Sequence, residues 1–303
     1  MANIAIIGAG NVGANTAFFI AERNIGGVVM YDIQDGLAQG KALDMMEAAP
    51  IRGYQYAITG TNAIEDILDT RVAVLAAGTV REPGMKREDL FTKNTEIVDA
   101  VAAQMRDYGG TVVIATEPVD LMVMRFREKS GLDASRVVGL GGVLDSTRFR
   151  YALSRELGVT TENINAVVIG RHSDQMMPLA DYSRISGVPV STLMEQSALE
   201  AVIEETRNAG DLIVEMSQRS SSFYGPSAAA ADVAQAIVWD TKRILPVSFV
   251  WDGQYGIDGV AMSLPVVLGY TGIERVLEPN LSQDQVRELK KSADEISSIY
   301  AKA

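Results

Sequence analysis

The stretch NIAIIGAGNVGANTAFFIAERNIGGVVMYD, residues 3–32, decides how the rest of the chain is organised. Asn3 to Ile7 reads as a compact apolar strand that runs straight into Gly8-Ala9-Gly10-Asn11-Val12-Gly13. A helical stretch follows from Val12 to Arg23, and a second strand, Val28 to Tyr31, ends in Asp32. A GxGxxG alone is weak, because glycines also mark ordinary turns. Here strand, glycines, helix and strand stand in order, and Asp32 lies 19 residues beyond Gly13. That is the arrangement of a dinucleotide-binding unit. The glycines allow a tight turn and the close approach of a pyrophosphate to a helix N-terminus, and the carboxylate accepts hydrogen bonds from the adenosine ribose. Ile33, Gln34 and Asp35 follow without a basic residue, so a 2′-phosphate would be repelled and NAD is expected over NADP.

Working outward, further strands are expected at Tyr54 to Thr59, Val72 to Ala76, Thr111 to Ala115 and Val137 to Gly139. Helices are expected near Gly36 to Ala49, Glu88 to Arg106 and Val119 to Lys129. Such alternation implies a parallel sheet covered on both faces, with ligands bound outside the carboxyl ends of its strands. Gly8, Asp32, Gly78 and Thr116 fall at those ends and are expected to line one crevice. The fold class is α/β: a Rossmann doubly wound parallel sheet over residues 1–143, closed by Gly141-Gly142, then an α+β catalytic domain over 144–303. In that second part helices are expected at Val143 to Leu157, Leu193 to Ser217 and Pro226 to Lys242, and strands at Val247 to Trp251 and Val260 to Val267. The last helix opens on Ser282-x-x-Gln285, a capping box, and continues with an apolar stripe of Val286, Leu289, Ala293, Ile296 and Tyr300.

Composition removes several classes of function. With no cysteine and one histidine, disulfides, thiolate nucleophiles and conventional zinc sites are excluded, and no metal is expected. The net charge of −12 argues against a nucleic-acid or anionic-membrane surface. There is no long apolar run and no signal-peptide pattern, so a cytoplasmic protein is expected. Most of the 27 basic residues are arginine, the side chain suited to bidentate carboxylate recognition.

The single histidine, His172, lies in NINAVVIGRHSDQMMP, residues 163–178. Ala166 to Ile169 reads as a short buried strand stopped by Gly170, which puts His172 at a strand end between Arg171 and Asp174. Either it merely hydrogen-bonds its surroundings, or it is a general base, since imidazole with a reference pKa of ~6.5 exchanges protons near neutral pH. Asp145 and Arg148 are three apart and share a helix face. They form either a surface ion pair of little value or a pair in which Asp145 holds the histidine and Arg148 forks a substrate carboxylate. The polar loop from Ala77 to Asp89 carries Arg81, Lys86 and Arg87, as a solvated charge run or as a lid closing over an anion.

The fingerprint GAGNVG, then AGTVREPGMKREDL, GGVLDSTRFR and GRHSDQMMP in this order resemble the lactate and malate dehydrogenase superfamily, over essentially the whole chain. Within it the chain is similar to the lactate-dehydrogenase-like malate dehydrogenases of bacteria and archaea. The resemblance implies that His172 is the catalytic base, Asp145 its orienting acid, Arg148 the ligand of the C1 carboxylate and Arg87 a lid group that stabilises charge on the carbonyl oxygen. It implies that Arg81 binds the second carboxylate of malate or oxaloacetate, where lactate enzymes usually carry an uncharged side chain. Asn94 and Thr116 join the cofactor contacts, Ser222 becomes a candidate lining residue, and a homotetramer or homodimer is expected. The alternatives are a lactate or broad 2-hydroxy-acid dehydrogenase, and a catalytically impaired NAD-binding homologue.

Two positions depart from the family pattern. The family usually has Asn-Pro after the fifth strand, where this chain has Glu117-Pro118. A glutamate there would set negative charge beside a dianionic substrate, at a cost of roughly 4 kcal/mol for one pair at 4 Å and an effective dielectric of 20. It would have to turn away, be protonated or weaken catalysis. Ser173 stands where the family usually has glycine after the histidine, and serine would be strained if the position required a positive φ.

Overall fold

The computed structural model describes residues 3–79, 89–217 and 222–302. The expected lid arginines, Arg81 and Arg87, lie outside the described residues. The first half runs β1 (Ile4–Ile7), α1 (Asn11–Glu22), β2 (Val28–Tyr31), α2 (Leu37–Arg52), β3 (Ile58–Thr61), β4 (Val72–Leu75), α3 (Asp89–Gln104), β5 (Thr111–Ile114), α4 (Val119–Ser130) and β6 (Val137–Gly139). The strands pair in parallel in the order β3-β2-β1-β4-β5-β6. Every residue of β1, β2, β4 and β5 is buried, which is why these strands read as unbroken apolar runs and not as alternating ones. The chain direction across the sheet reverses between β1 and β4, so the loops leaving those two strands diverge and open a crevice at their carboxyl ends.

The second half runs α5 (Gly141–Leu157), β7 (Ile164–Asn165), β8 (Val168–Ile169), β9 (Met177–Pro178), β10 (Arg184–Ile185), β11 (Val188–Pro189), α6 (Gln196–Ser217), α7 (Tyr224–Val238), β12 (Arg243–Asp252), β13 (Asp258–Gly269), β14 (Gly272–Val276) and α8 (Gln283–Tyr300). β12 pairs antiparallel with β6, Ser248 facing Gly139, and β13 and β14 extend the same sheet. A single nine-stranded sheet therefore runs through both halves. The capping box at Ser282 and Gln285 is formed, and Leu289, Ala293 and Ile296 bury the inner face of α8.

Several local expectations differ from the structure. The helix expected from Val143 begins two residues earlier, so that Gly141 and Gly142 form the first turn of α5. A Cβ at Gly142 would stand 2.7 Å from the Val168 carbonyl oxygen, and one at Gly141 2.5 Å from Ser263 Oγ, so glycine lets the helix start pressed against β8 and β13. The third strand begins at Ile58 and not at Tyr54, because Tyr54 turns inward: its ring packs edge-on to Phe18 at 6.2 Å and its hydroxyl donates to the Met45 carbonyl. Of the short strand expected at Ala166 to Ile169 only Val168–Ile169 forms, as β8. It pairs with β9, and Gly170 bridges onward to Ser263 of β13, whereas β7, just before it, pairs with β10.

Candidate active site

The cofactor side is built mostly from main chain. Gly8 has φ +97°, and a Cβ there would lie 2.6 Å from the Ala77 backbone. A Cβ at Gly13 would lie 1.9 Å from the Gly8 carbonyl oxygen, so the start of α1 can sit on the turn only without one. At Gly10 a Cβ would meet nothing within 4 Å, so this glycine faces the open crevice. Gly10 is also the N-cap of α1, which has no side-chain cap and no acidic residue in its first turn. The N–H groups and positive end of the helix dipole are thereby left for an anionic group. The Asp32 carboxylate accepts from Ala9 N at 2.7 Å and from Gln34 N at 2.9 Å, which fixes it against the glycine turn at the end of β2. This arrangement fits the pyrophosphate and ribose of a dinucleotide. Lys41 of α2, which pattern reading missed, donates to the Ala9 carbonyl at 2.6 Å and ties the helix to the turn. No periodicity marks it, because only the approach of α2 to the turn gives it a partner.

The loops after β4 and β5 form the far wall. Asn94 is fully buried; its Oδ1 accepts from Thr79 N and its Nδ2 donates to the Glu117 carbonyl, both at 2.7 Å, so it stitches the two loops together. Thr116 Oγ1 donates to the Ala77 carbonyl at 2.7 Å. An open cleft joins this wall to the histidine side, lined among others by Val12, Gly78, Thr116, Glu117, Arg148 and His172. Ser222 lines it too, as expected of a candidate lining residue.

On the catalytic side, Gly170 has φ +84° and turns the chain out of β8, which delivers His172 to the cleft. Nδ1 of His172 lies 2.8 Å from Asp145 Oδ2, both side chains being 2% exposed. With the carboxylate accepting a hydrogen bond from Nδ1–H, Nε2 is the ring nitrogen left able to exchange a proton with a ligand. Arg148 Nη1 lies 3.7 Å from Asp145 Oδ1, and its side chain is only 13% exposed. Surface placement, one of the two readings of the Asp145 and Arg148 pair, is excluded by this burial.

The histidine is held by its main chain as well. His172 N donates at 2.7 Å to Oδ2 of the buried Asp120, whose Oδ1 accepts from Ser248 Oγ at 2.6 Å. Burial pushes the Asp120 carboxyl above the ordinary carboxylate range, against the opposing pull of the Ser248 hydroxyl and of His172. Asp120 was not singled out from the sequence, since a lone aspartate in the first turn of a helix reads as an ordinary dipole partner. Arg171 pairs with Glu295 of α8 at 3.2 Å and so anchors the loop that carries His172 from its other side.

The two departures come out differently. Ser173 is not among the positive-φ residues, so the expected strain is absent. Its hydroxyl instead accepts from Gln175 N at 3.1 Å. Glu117 does not turn away: its Oε1 lies 3.3 Å from His172 Nε2.

Comparison with known proteins agrees with this geometry. The NAD-binding domain of the lactate/malate dehydrogenases matches residues 2–139, and their alpha/beta C-terminal domain matches residues 142–303. A malate dehydrogenase of Chlorobium limicola is 43% identical over 293 residues, covering 96% of this chain and 94% of its own. The crystal structure of Cryptosporidium parvum malate dehydrogenase superposes with a TM-score of 0.96 at 38% identity, over 99% of this chain and 98% of the other. A lactate dehydrogenase of the same organism, solved with lactic acid and its nicotinamide cofactor, follows at 0.94 and 33%, over 98% and 96%. A Rossmann crevice that opens onto a buried histidine and aspartate pair, in a sequence matched from end to end in this way, makes the chain a member of the lactate/malate dehydrogenase family.

Proposed function

We propose that the chain is an NAD-dependent malate dehydrogenase that interconverts (S)-malate and oxaloacetate. The observation that carries the reading is that His172 and Arg148 line one cleft with Val12 of the glycine turn, while Asp145 backs the histidine from behind. Bound NAD supplies the hydride acceptor or donor, held by Gly8, Ala9, Gly10, Asn11, Val12, Gly13 and Asp32, with Asn94 and Thr116 shaping the opposite wall.

In the oxidative direction His172 Nε2 takes the proton of the substrate C2 hydroxyl. Asp145 keeps the Nδ1 proton in place and stabilises the imidazolium that results. In the reductive direction the same nitrogen returns the proton to the carbonyl oxygen. Arg148 forms a bidentate pair with the C1 carboxylate and so fixes C2 over the histidine. Arg87 stabilises charge on the C2 oxygen, and Arg81 binds the second carboxylate. An arginine or a carboxylate left unpaired in a closed site costs several kcal/mol, so Arg81 is the group that selects oxaloacetate over pyruvate. In this reading residues 1–143 are the cofactor domain, which also lends Arg81 and Arg87 to the substrate, and 144–303 are the substrate domain.

The test is NADH oxidation followed by absorbance with oxaloacetate or pyruvate, for the native chain and Arg81→Gln. Fast turnover of oxaloacetate that collapses in the variant is the expected result. Pyruvate turned over as well as oxaloacetate would make the chain a broad 2-hydroxy-acid dehydrogenase. Among the described residues no helix is long and apolar enough to cross a membrane. We propose a cytoplasmic protein that assembles as a homotetramer or homodimer; the assembly is supported by the exposed Leu43 and Ile51 on α2 and Tyr151 on α5. Light scattering coupled to size exclusion checks the assembly.

A further inference from the structure

We propose that Glu117 is a displaceable carboxylate cap on the catalytic base, which the substrate must evict from His172 before it can react. This inference rests on the function proposed above. Glu117 sits between the end of β5 and the start of α4, and its side chain is held at both oxygens. Oε1 lies 3.3 Å from His172 Nε2, and Oε2 accepts from Val119 N at 3.4 Å. Its main-chain carbonyl is fixed in turn by Asn94 Nδ2. His172 thus carries a carboxylate at each ring nitrogen: Asp145 at Nδ1 and Glu117 at Nε2.

The two carboxylates are not equivalent. Asp145 is buried on α5 and has nowhere to go, whereas the Glu117 side chain is 34% exposed and borders the open cleft. An imidazole nitrogen directs a single lone pair, or a single N–H, in the ring plane. Nε2 cannot serve the substrate C2 oxygen while it serves Glu117 Oε1. Charge acts in the same direction, because the substrate brings its own carboxylates toward Arg148, in the cleft that Glu117 also lines. Glu117 is therefore an internal competitor that lowers substrate affinity in the free enzyme and, once evicted, leaves the proton-transfer machinery of His172 and Asp145 unaltered. An affinity-determining residue of this kind weakens ground-state binding without entering the chemical step.

The test compares the native chain with Glu117→Gln, which removes the charge, and Glu117→Ala, which removes the group. Steady-state kinetics with oxaloacetate are combined with inhibition by hydroxymalonate, a dicarboxylate the enzyme does not need to turn over. NADH fluorescence and a thermal melt confirm that each variant is folded and binds cofactor. Eviction predicts that the KM for oxaloacetate and the Ki for hydroxymalonate fall together, by about tenfold or more in at least one variant, with kcat held within about threefold. Constants that are unchanged or raised in both variants overturn the proposal. So does a collapse of kcat at constant KM, which would make Glu117 a participant in the chemistry. Absence of turnover with any 2-oxo acid in all three proteins, with NADH still bound, would instead overturn the dehydrogenase reading itself.

Discussion

The cofactor crevice and the cluster around His172 meet in one cleft but are built by different means. The crevice centres on one βαβ unit, and main-chain groups supply its contacts: the bare start of α1 and Ala9 N donating to the Asp32 carboxylate, with the Gly8 turn backed by Ala77 from the loop after β4. The cluster is assembled from side chains that the chain brings from afar. Asp145 comes from α5, Asp120 from α4 and Ser248 from β12, all onto one loop that carries His172. A main-chain site tolerates change in side chains so long as the glycines remain. A cluster of buried ionisable groups depends on each partner being present, since a buried charge without its partner is costly.

The largest expected effect breaks the two regions apart. His172→Asn should lower kcat by about 10³-fold, within the range for loss of a general acid or base, and leave NADH affinity unchanged by fluorescence titration. A parallel loss of NADH binding would show that the regions are coupled more tightly than the geometry implies. The reverse separation comes from Asp32→Ala, which should weaken NADH binding by roughly tenfold, as for one charge-assisted hydrogen bond, with kcat at saturating cofactor preserved.

A smaller effect tests the rigidity of the cluster. Asp120→Asn keeps the shape but sets an amide against two donors, His172 N and Ser248 Oγ. It should cost about 1–3 kcal/mol of stability in denaturant unfolding, with a lesser fall in kcat. The pH dependence has a definite sign. Burial raises the Asp120 carboxyl in the folded state above its unfolded value, so the stability it contributes is complete below the unfolded pKa and is lost as pH rises through the folded one. The stability gap between the native chain and the variant should therefore narrow from acidic toward neutral pH. Smallest of all, Ser173→Gly should change stability by less than about 0.5 kcal/mol and kcat by less than about twofold, because Ser173 occupies an unstrained conformation.

How far each region could be read from the sequence follows from the same contrast. GAGNVG and Asp32 were legible because a dinucleotide turn needs its glycines and its acid at set spacings along one βαβ unit. His172, Asp145 and Arg148 were legible as residues, being the lone histidine and an i, i+3 pair, but their roles came from resemblance to a family and not from spacing. Lys41, Asp120 and the stitching role of Asn94 had no signal, since each depends on a partner that another element supplies. The two-residue strands β9, β10 and β11 are too short to carry periodicity.

From the sequence alone came the parallel α/β order and the cofactor class, because these rest on local backbone chemistry, together with His172 as the single candidate for an imidazole base. Tertiary structure alone decided that Gly141 and Gly142 open α5, that Ser173 is relaxed, and that Glu117 stands over His172 Nε2. Each of those is set by the distance between segments that are remote in the chain. Such distances follow from how helices and strands pack, and no run of neighbouring residues encodes them.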